Sequence, residues 1–93
     1  MSLYQINYDL RKQRNYEPLY ERLKEYPMWC RPLESAWVIS TSQSAVQVRD
    51  NLRAVMDDDD GLLVTRLEGE AAWVNLAPKV SEYLKEMLEK KAA

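Results

Sequence analysis

The stretch LYQINYDL at residues 3–10 decides the fold, because it reads as a β-strand with two chemically different faces. Successive side chains of a strand point to opposite faces of the sheet. One face is aromatic and aliphatic, with Tyr4, Ile6, Tyr8 and Leu10. The other face is polar, with Gln5, Asn7 and Asp9. The first face predicts packing against helices, and the second must find water or a hydrogen-bonding partner.

The composition indicates one small folded domain. Of the 93 residues, 46% are hydrophobic and 30% are charged, which is typical of a globular protein and too apolar for a disordered one. A core of this size is only modestly stable unless a second copy covers part of the surface. We therefore predict a single domain, residues 1–93, that forms a homodimer.

Scarce or missing residue types exclude several classes of function. Cys30 is the only cysteine and the chain has no histidine, which excludes an internal disulfide, a CxxC zinc or redox site and histidine-based catalysis. The net charge of −2 restricts any contact with DNA or RNA to a local basic patch. No apolar run approaches the roughly 18 residues of a membrane span, and no signal sequence is recognisable. We predict a cytoplasmic protein without a membrane partner.

The first helix is predicted directly after the first strand. Asn15 is a suitable N-cap, and Pro18 falls in the first turn, where its missing N–H costs nothing. The apolar stripe of this helix consists of Tyr16, Leu19, Tyr20, Leu23 and Tyr26. Its helical spacing favours packing in the core over an aromatic platform for nucleic acid.

Residues 28–33 and 36–41 are two apolar segments separated by Glu34 and Ser35, which predicts a β-hairpin. Pro32 places the first strand of this hairpin at the edge of the sheet. The second strand is apolar on both faces, so both faces of the sheet should be covered there. We expect helices to supply only one of these covers and a second subunit to supply the other.

A second helix begins at Ser44, which forms a capping-box pattern with Gln47. Its buried stripe is predicted to consist of Ala45, Val48, Leu52, Val55 and Met56. The acidic run at residues 57–60 lacks the ligand spacing of a calcium loop and precedes Gly61, which favours a solvated turn over a calcium or magnesium site. Residues 62–67 are the fourth predicted strand.

The C-terminal part of the chain adds an arm and a helix. Residues 71–76 (AAWVNL) are predicted to form a short fifth strand or an extended arm. This segment is too apolar to remain exposed to solvent, so a partner subunit would cover it. Pro78 begins a last helix, residues 78–90. Its stripe consists of Val80, Tyr83, Leu84, Met87 and Leu88. Over residues 3–67, the order of elements predicts an α+β fold, a ferredoxin-like βαββαβ sandwich with a C-terminal strand and helix appended.

Several local sequences resemble those of a known family. They are YDL at 8–10, LYERLK at 19–24, SAWVIST at 35–41, the acidic run ending in DG at 60–61, and AAW at 71–73. These local sequences and their order resemble those of the small CRISPR-associated adaptation subunit. They are more similar still to those of its stand-alone relatives, which are labelled SinR-like. The resemblance covers nearly the whole chain and implies a two-fold dimer in which sheet faces meet and a fifth strand crosses to the partner. The helix-turn-helix that the SinR label suggests is not found, since strands separate the first two helices.

The resemblance also implies a site at the end of the first strand. In active members of the family an aspartate there holds a divalent metal near the dimer axis for phosphodiester cleavage, and Asp9 is the matching position. Arg11, Lys12 and Arg14 would then hold the nucleic-acid backbone. The structural alternatives are an Asp9 that caps a turn or pairs with Arg11, and a basic loop that is merely solvated. The predicted dimer interface consists of Gln5, Asn7, Trp37, Ile39, Trp73 and Val74.

Two classes of function remain open. The first is a non-catalytic homodimer that binds nucleic acid or a protein partner, with Asp9 in a structural role. The alternative is a Mg²⁺-dependent phosphodiesterase, an endonuclease in which Asp9 of each subunit binds the metal that activates water. We favour the first, because the acidic overall charge and the long loop after Asp9 depart from the family pattern.

Overall fold

The computed structural model describes residues 1–92, with the side chains of residues 1–89. Its elements are β1 (Ser2–Asp9), α1 (Glu17–Lys24), β2 (Met28–Leu33), β3 (Ala36–Thr41), α2 (Ala45–Arg53), β4 (Gly61–Arg66) and α3 (Pro78–Ala92). The strands form one antiparallel sheet in the order β2-β3-β1-β4, which confirms the α+β class. β1 is therefore central, and β2, which contains Pro32, lies at an edge as predicted. None of the helices within residues 1–92 combines the length and apolar character that crossing a bilayer requires.

The first core lies between one face of the sheet and helices α1 and α2. It consists of Tyr4, Ile6, Tyr8, Tyr16, Leu19, Leu23, Tyr26, Trp37, Ile39, Val48 and Leu52. The aromatic and aliphatic face of β1 thus packs against helices, as its alternation predicts. The apolar stripes of the first two helices also point into this core, so Tyr16, Tyr20 and Tyr26 are packing residues.

A second core lies on the opposite face of the sheet, under α3. It consists of Leu3, Cys30, Val38, Leu84, Met87 and Leu88. The expectation that helices cover only one face of β3 is therefore wrong, because α3 supplies the second cover within the same chain. The physical reason is that the apolar stripe of α3 needs an apolar surface, and Leu3, Cys30 and Val38 offer one.

Residues 71–76 form no strand in the single chain and run as an irregular segment ahead of α3. Trp73 and Leu76 pack against the second core, and Trp73 Nε1 donates a hydrogen bond of 2.8 Å to Ser81 Oγ. Asn75 has a φ of 61°, in the left-handed region, which interrupts an extended strand. The predicted fifth strand is therefore not formed here, and the crossing of this segment to a partner stays a prediction.

Local hydrogen bonds fix the starts of the first two helices. Gln47 N donates to Ser44 Oγ at 3.2 Å and Ser44 N donates to Gln47 Oε1 at 2.8 Å, which confirms the capping box. Helix α1 begins one residue later than the Asn15 cap predicts, since Tyr16 is its N-cap residue. Asn15 Oδ1 instead accepts a hydrogen bond from Glu17 N at 3.0 Å, which is an Asx turn leading into the helix.

Candidate functional site

Two oppositely charged loops meet where β1 ends. The basic loop, residues 11–14, follows β1, and the acidic loop, residues 57–60, leads into β4. β1 pairs with β4, and Asp9 lies opposite Gly61, so both loops are held at one end of the sheet. A Cβ atom at position 61 would come within 3.1 Å of Arg11 Nη2. The glycine therefore lets the guanidinium lie close to the start of β4.

Two cations of the basic loop contact carboxylates of the acidic loop. Lys12 Nζ lies 2.9 Å from Asp59 Oδ2, and Arg14 Nη1 lies 3.2 Å from Asp57 Oδ2. The Arg14 guanidinium also stacks on the Tyr16 ring, 5.2 Å from its centroid. Each exposed ion pair adds only about 0.2–1 kcal/mol to stability. These ion pairs matter more for function than for stability, because they give Lys12 and Arg14 anionic partners within the chain.

Asp60 connects the two loops through three accepted hydrogen bonds. Its carboxylate accepts from Arg11 N at 2.8 Å, from the Tyr16 hydroxyl at 2.9 Å and from Asp57 N at 2.9 Å. Partial burial by itself raises the pKa of Asp60, but these hydrogen bonds and the nearby Arg14 outweigh it, so the pKa lies below its usual value. The acidic run is therefore a structured turn in which Asp60 stays ionised to unusually low pH.

Asp9, the predicted catalytic and metal-binding residue, has a side chain that is 75% exposed at the end of β1. Arg11 Nε lies 3.3 Å from Asp9 Oδ2, which is the structural alternative that the sequence left open. Within residues 1–92, no cluster of three or more Asp, Glu, His or Cys side chains is arranged to hold a metal ion. Among these residues, Asp9 therefore has an arginine partner and belongs to no cluster of metal ligands.

Arg11, Lys12 and Arg14, which were predicted to bind nucleic acid, do lie together. However, carboxylates already contact these side chains at the positions that phosphates would occupy. The Arg11 guanidinium adds to this by donating to the backbone oxygen of Asp59 at 2.7 Å. A phosphate backbone would have to displace these contacts before it could pair with the loop. The geometry therefore favours a structural role for the basic loop over binding of nucleic acid.

A second candidate surface is the part of the sheet that α3 leaves open. Leu33, Ala36, Asn7 and Leu63 lie side by side across the four strands and share the face opposite the first core. We call these four residues the open row. Leu33 is 60% exposed and Leu63 is 61% exposed, whereas most other large apolar side chains of the sheet are buried. The open row thus has exposed apolar ends, and its centre consists of the buried Ala36 and the half-buried, polar Asn7.

The predicted interface residues divide between the two faces of the sheet. Gln5 and Asn7 lie on the open face, where Gln5 Nε2 donates to Asn7 Oδ1 at 3.0 Å, and Val74 is 76% exposed. Trp37 and Ile39, in contrast, are 1% and 0% exposed in the first core. The prediction that Trp37 and Ile39 contact a second subunit is therefore wrong. The reason is register, since Trp37 and Ile39 pair with Ile6 and Tyr4, whose side chains face the helices.

Leu33 and Leu63 are surface residues that the sequence alone did not reveal. Both belong to segments that read as apolar strands, so periodicity alone makes them core candidates. The register of β4 with β1 is the signal that places Leu63 beside the polar Asn7. Cys30 is buried, and this burial raises the pKa of its thiol to about 11, so the thiol is protonated at neutral pH and is not a nucleophile.

Comparison with known proteins adds no further assignment. No protein-family model matches the chain, and no solved structure matches it at a significant level.

Proposed function

We propose that this chain is a non-catalytic, homodimeric ferredoxin-like module that binds a protein partner, of the kind represented by the small CRISPR-associated adaptation subunit. The strand order β2-β3-β1-β4 and the shared core of α1 and α2 on one face support the ferredoxin-like fold. Neutralisation of the basic loop by the acidic loop supports a protein partner over nucleic acid. The local resemblances from YDL at 8–10 to AAW at 71–73 support the relationship to the family.

The observation that carries the homodimer is the open row. Its exposed ends, Leu33 and Leu63, lie on one face of the sheet, and Val74 adds a further exposed apolar side chain. Leu33 and Val74 also border one groove on this face, together with Gln5. Exposed apolar surface of this kind is stabilised when a second protein surface covers it. A two-fold contact would place the same row of each subunit against its counterpart.

Replacing Leu63 with glutamate should convert the dimer to a monomer without unfolding the chain. Leu63 is 61% exposed, so the charge is tolerated by the monomer, whereas burial of two facing carboxylates should weaken dimerisation by roughly a hundredfold or more. Multi-angle light scattering at micromolar concentration measures the mass. Val46→Glu is the matched control, because Val46 is 55% exposed on α2, away from the open face. A wild-type mass of one chain would refute the homodimer.

A second candidate function is the Mg²⁺-dependent endonuclease. The observation in its favour is that Asp9 shares the open face with Asn7, two residues before it in β1. A dimer formed through this face would bring two exposed Asp9 carboxylates near the axis. Two such carboxylates repel each other, and a divalent cation that binds both relieves this repulsion.

Magnesium should then raise the melting temperature of the wild type but not of Asp9→Asn. The expected stabilisation is about 1.4 kcal/mol at ten times the dissociation constant, from the linkage of binding to folding. Asp58→Asn is the control, because Asp58 is an exposed acid of the nearby loop. The same variants are assayed for cleavage of single- and double-stranded DNA and RNA. Equal melting with and without Mg²⁺, together with no cleavage, would rule out the endonuclease and leave the dimer test unaffected.

A further inference from the structure

A cleft of about 520 Å³ lies beside the edge strand β2, between this strand and α3. Trp29 and Arg31 form its wall on the β2 side, and Lys79, Val80 and Tyr83 form its wall on the α3 side. We call this feature the β2 cleft. It is separate from the charged loops, which lie at the junction of β1 and β4, and from the open row.

The charge of the β2 cleft is positive and uncompensated. Arg31 and Lys79 line it, Lys24 Nζ lies 5.8 Å from the centre of the Trp29 ring, and the lining contains no acidic side chain. In the part of the chain that the structure describes, none of these three cations forms an ion pair with a carboxylate. Arg31 donates to the backbone oxygen of Glu34 at 2.6 Å and 3.0 Å, and its guanidinium lies over the Tyr20 and Trp37 rings, 4.8 Å and 5.3 Å from their centres. Lys24 and Lys79 are therefore the cations that differ from the basic loop, whose anionic partners are in place.

The backbone beside the β2 cleft is an open strand edge. β2 pairs only with β3 in the sheet, so its other side presents unpaired N–H and C=O groups. Pro32 and a change of register between Cys30 and Leu33 interrupt the second half of this edge, which protects it from unwanted pairing. Residues 28–31 precede the interruption and remain able to pair with another strand.

We propose that the β2 cleft binds an extended acidic segment of a protein partner, which adds a strand along residues 28–31. Added strands obtain affinity from main-chain hydrogen bonds and specificity from alternate side chains. On one face of the added strand, apolar side chains would contact Trp29, which is 37% exposed. On the other face they would contact Val80 and Tyr83. Acidic side chains of the segment would pair with Lys24 and Lys79, which flank the edge from α1 and α3.

This inference deepens the proposed function, because it names the chemistry of the protein partner and the surface that it contacts. It rests on the protein-binding part of that proposal and is independent of the dimer. The open row and the β2 cleft use different side chains, so Leu63→Glu should leave peptide binding unchanged. The two proposals can therefore fail separately.

The probe is the six-residue peptide Glu-Glu-Val-Val-Glu-Glu, which matches the length of β2 and presents one valine and two glutamates on each face of the added strand. Titration into ¹⁵N-labelled protein should give saturable shifts of the amide signals of residues 28–31 and of Lys79 to Tyr83. The double variant Lys24→Gln and Lys79→Gln should weaken binding roughly tenfold, since two exposed ion pairs are removed. Lys85→Gln is the matched control on the same helix, because Lys85 lies outside the β2 cleft.

Three outcomes would overturn this proposal. The first is equal binding of the matched peptide Lys-Lys-Val-Val-Lys-Lys, since charge would then not select the partner. The second is a shift pattern that leaves residues 28–31 unchanged. The third is binding of a single-stranded oligothymidylate in the β2 cleft without binding of the acidic peptide, which would make the cleft a nucleic-acid surface. Far-ultraviolet circular dichroism of each variant shows that its fold is retained.

Discussion

Met87→Ala should lower the free energy of unfolding by about 2–5 kcal/mol, the usual cost of truncating a large side chain in a packed core. Met87 is 1% exposed and belongs to the second core with Leu3 and Val38. The expected loss is a large share of the roughly 5–15 kcal/mol that stabilises a typical domain. Urea denaturation followed by circular dichroism measures it. Val46→Ala is the matched control, and its effect should stay within about 0.5 kcal/mol because Val46 is 55% exposed on α2.

The same experiment distinguishes two ways of covering the second face of β3. Either α3 of the same chain packs on it, or a partner subunit does. If α3 covers Val38 in its own chain, the cost of Met87→Ala is independent of protein concentration. If a second subunit covers that face instead, the cost of Met87→Ala should fall below about 1 kcal/mol. The comparison is made in the monomeric variant Leu63→Glu, because the proposed homodimer by itself makes the wild-type midpoint depend on protein concentration. A cost below about 1 kcal/mol in that variant would contradict the packing of α3 on the sheet.

Local patterns predicted the elements of the fold because they depend on residues close in sequence. The alternation of β1 identified the face that carries Ile6, and the spacing of α1 identified Leu19 and Leu23 as core residues. The capping box of Ser44 located the start of α2. Each of these signals reports a preference that a segment of about ten residues has on its own.

The surface against which α3 packs could not be predicted in the same way. Its stripe showed that Leu84 and Met87 needed cover, but a stripe does not say which surface will provide it. The apolar β3 gave the matching information, since Val38 faces away from the first core. A partner subunit and the helix of the same chain were equally consistent with that pattern. Only the tertiary structure distinguishes them.

The candidate site shows the same limit. The basic loop and the acidic run were each visible in the sequence, yet they are separated by more than forty residues. The pairing of β1 with β4 brings them to one end of the sheet, where Lys12 meets Asp59. Without that contact the basic loop resembles a binding surface for phosphates. With it, the loop is already paired, and the expectation for function changes.

Asp60→Asn should lower stability at neutral pH by roughly 1–2 kcal/mol, because the charged acceptor of three hydrogen bonds is replaced by a neutral amide that can accept fewer. The backbone N–H groups of Arg11 and Asp57 and the hydroxyl of Tyr16 all donate to Asp60. Thermal denaturation at pH 7 measures the loss. Asp58→Asn is the control in the same loop and should leave stability unchanged, since Asp58 is exposed.

The variant should also change how stability depends on pH. The pKa of Asp60 is lowered from its ordinary value of 3.8 in the folded state, so the unfolded chain takes up a proton first as the pH falls. The contribution of Asp60 to stability is thus complete well above pH 3.8 and is lost as the pH falls through the lower folded pKa. The melting temperature of the wild type should therefore fall more steeply below about pH 4 than that of Asp60→Asn. Parallel curves for the two proteins in this range would mean that Asp60 does not hold the loops together.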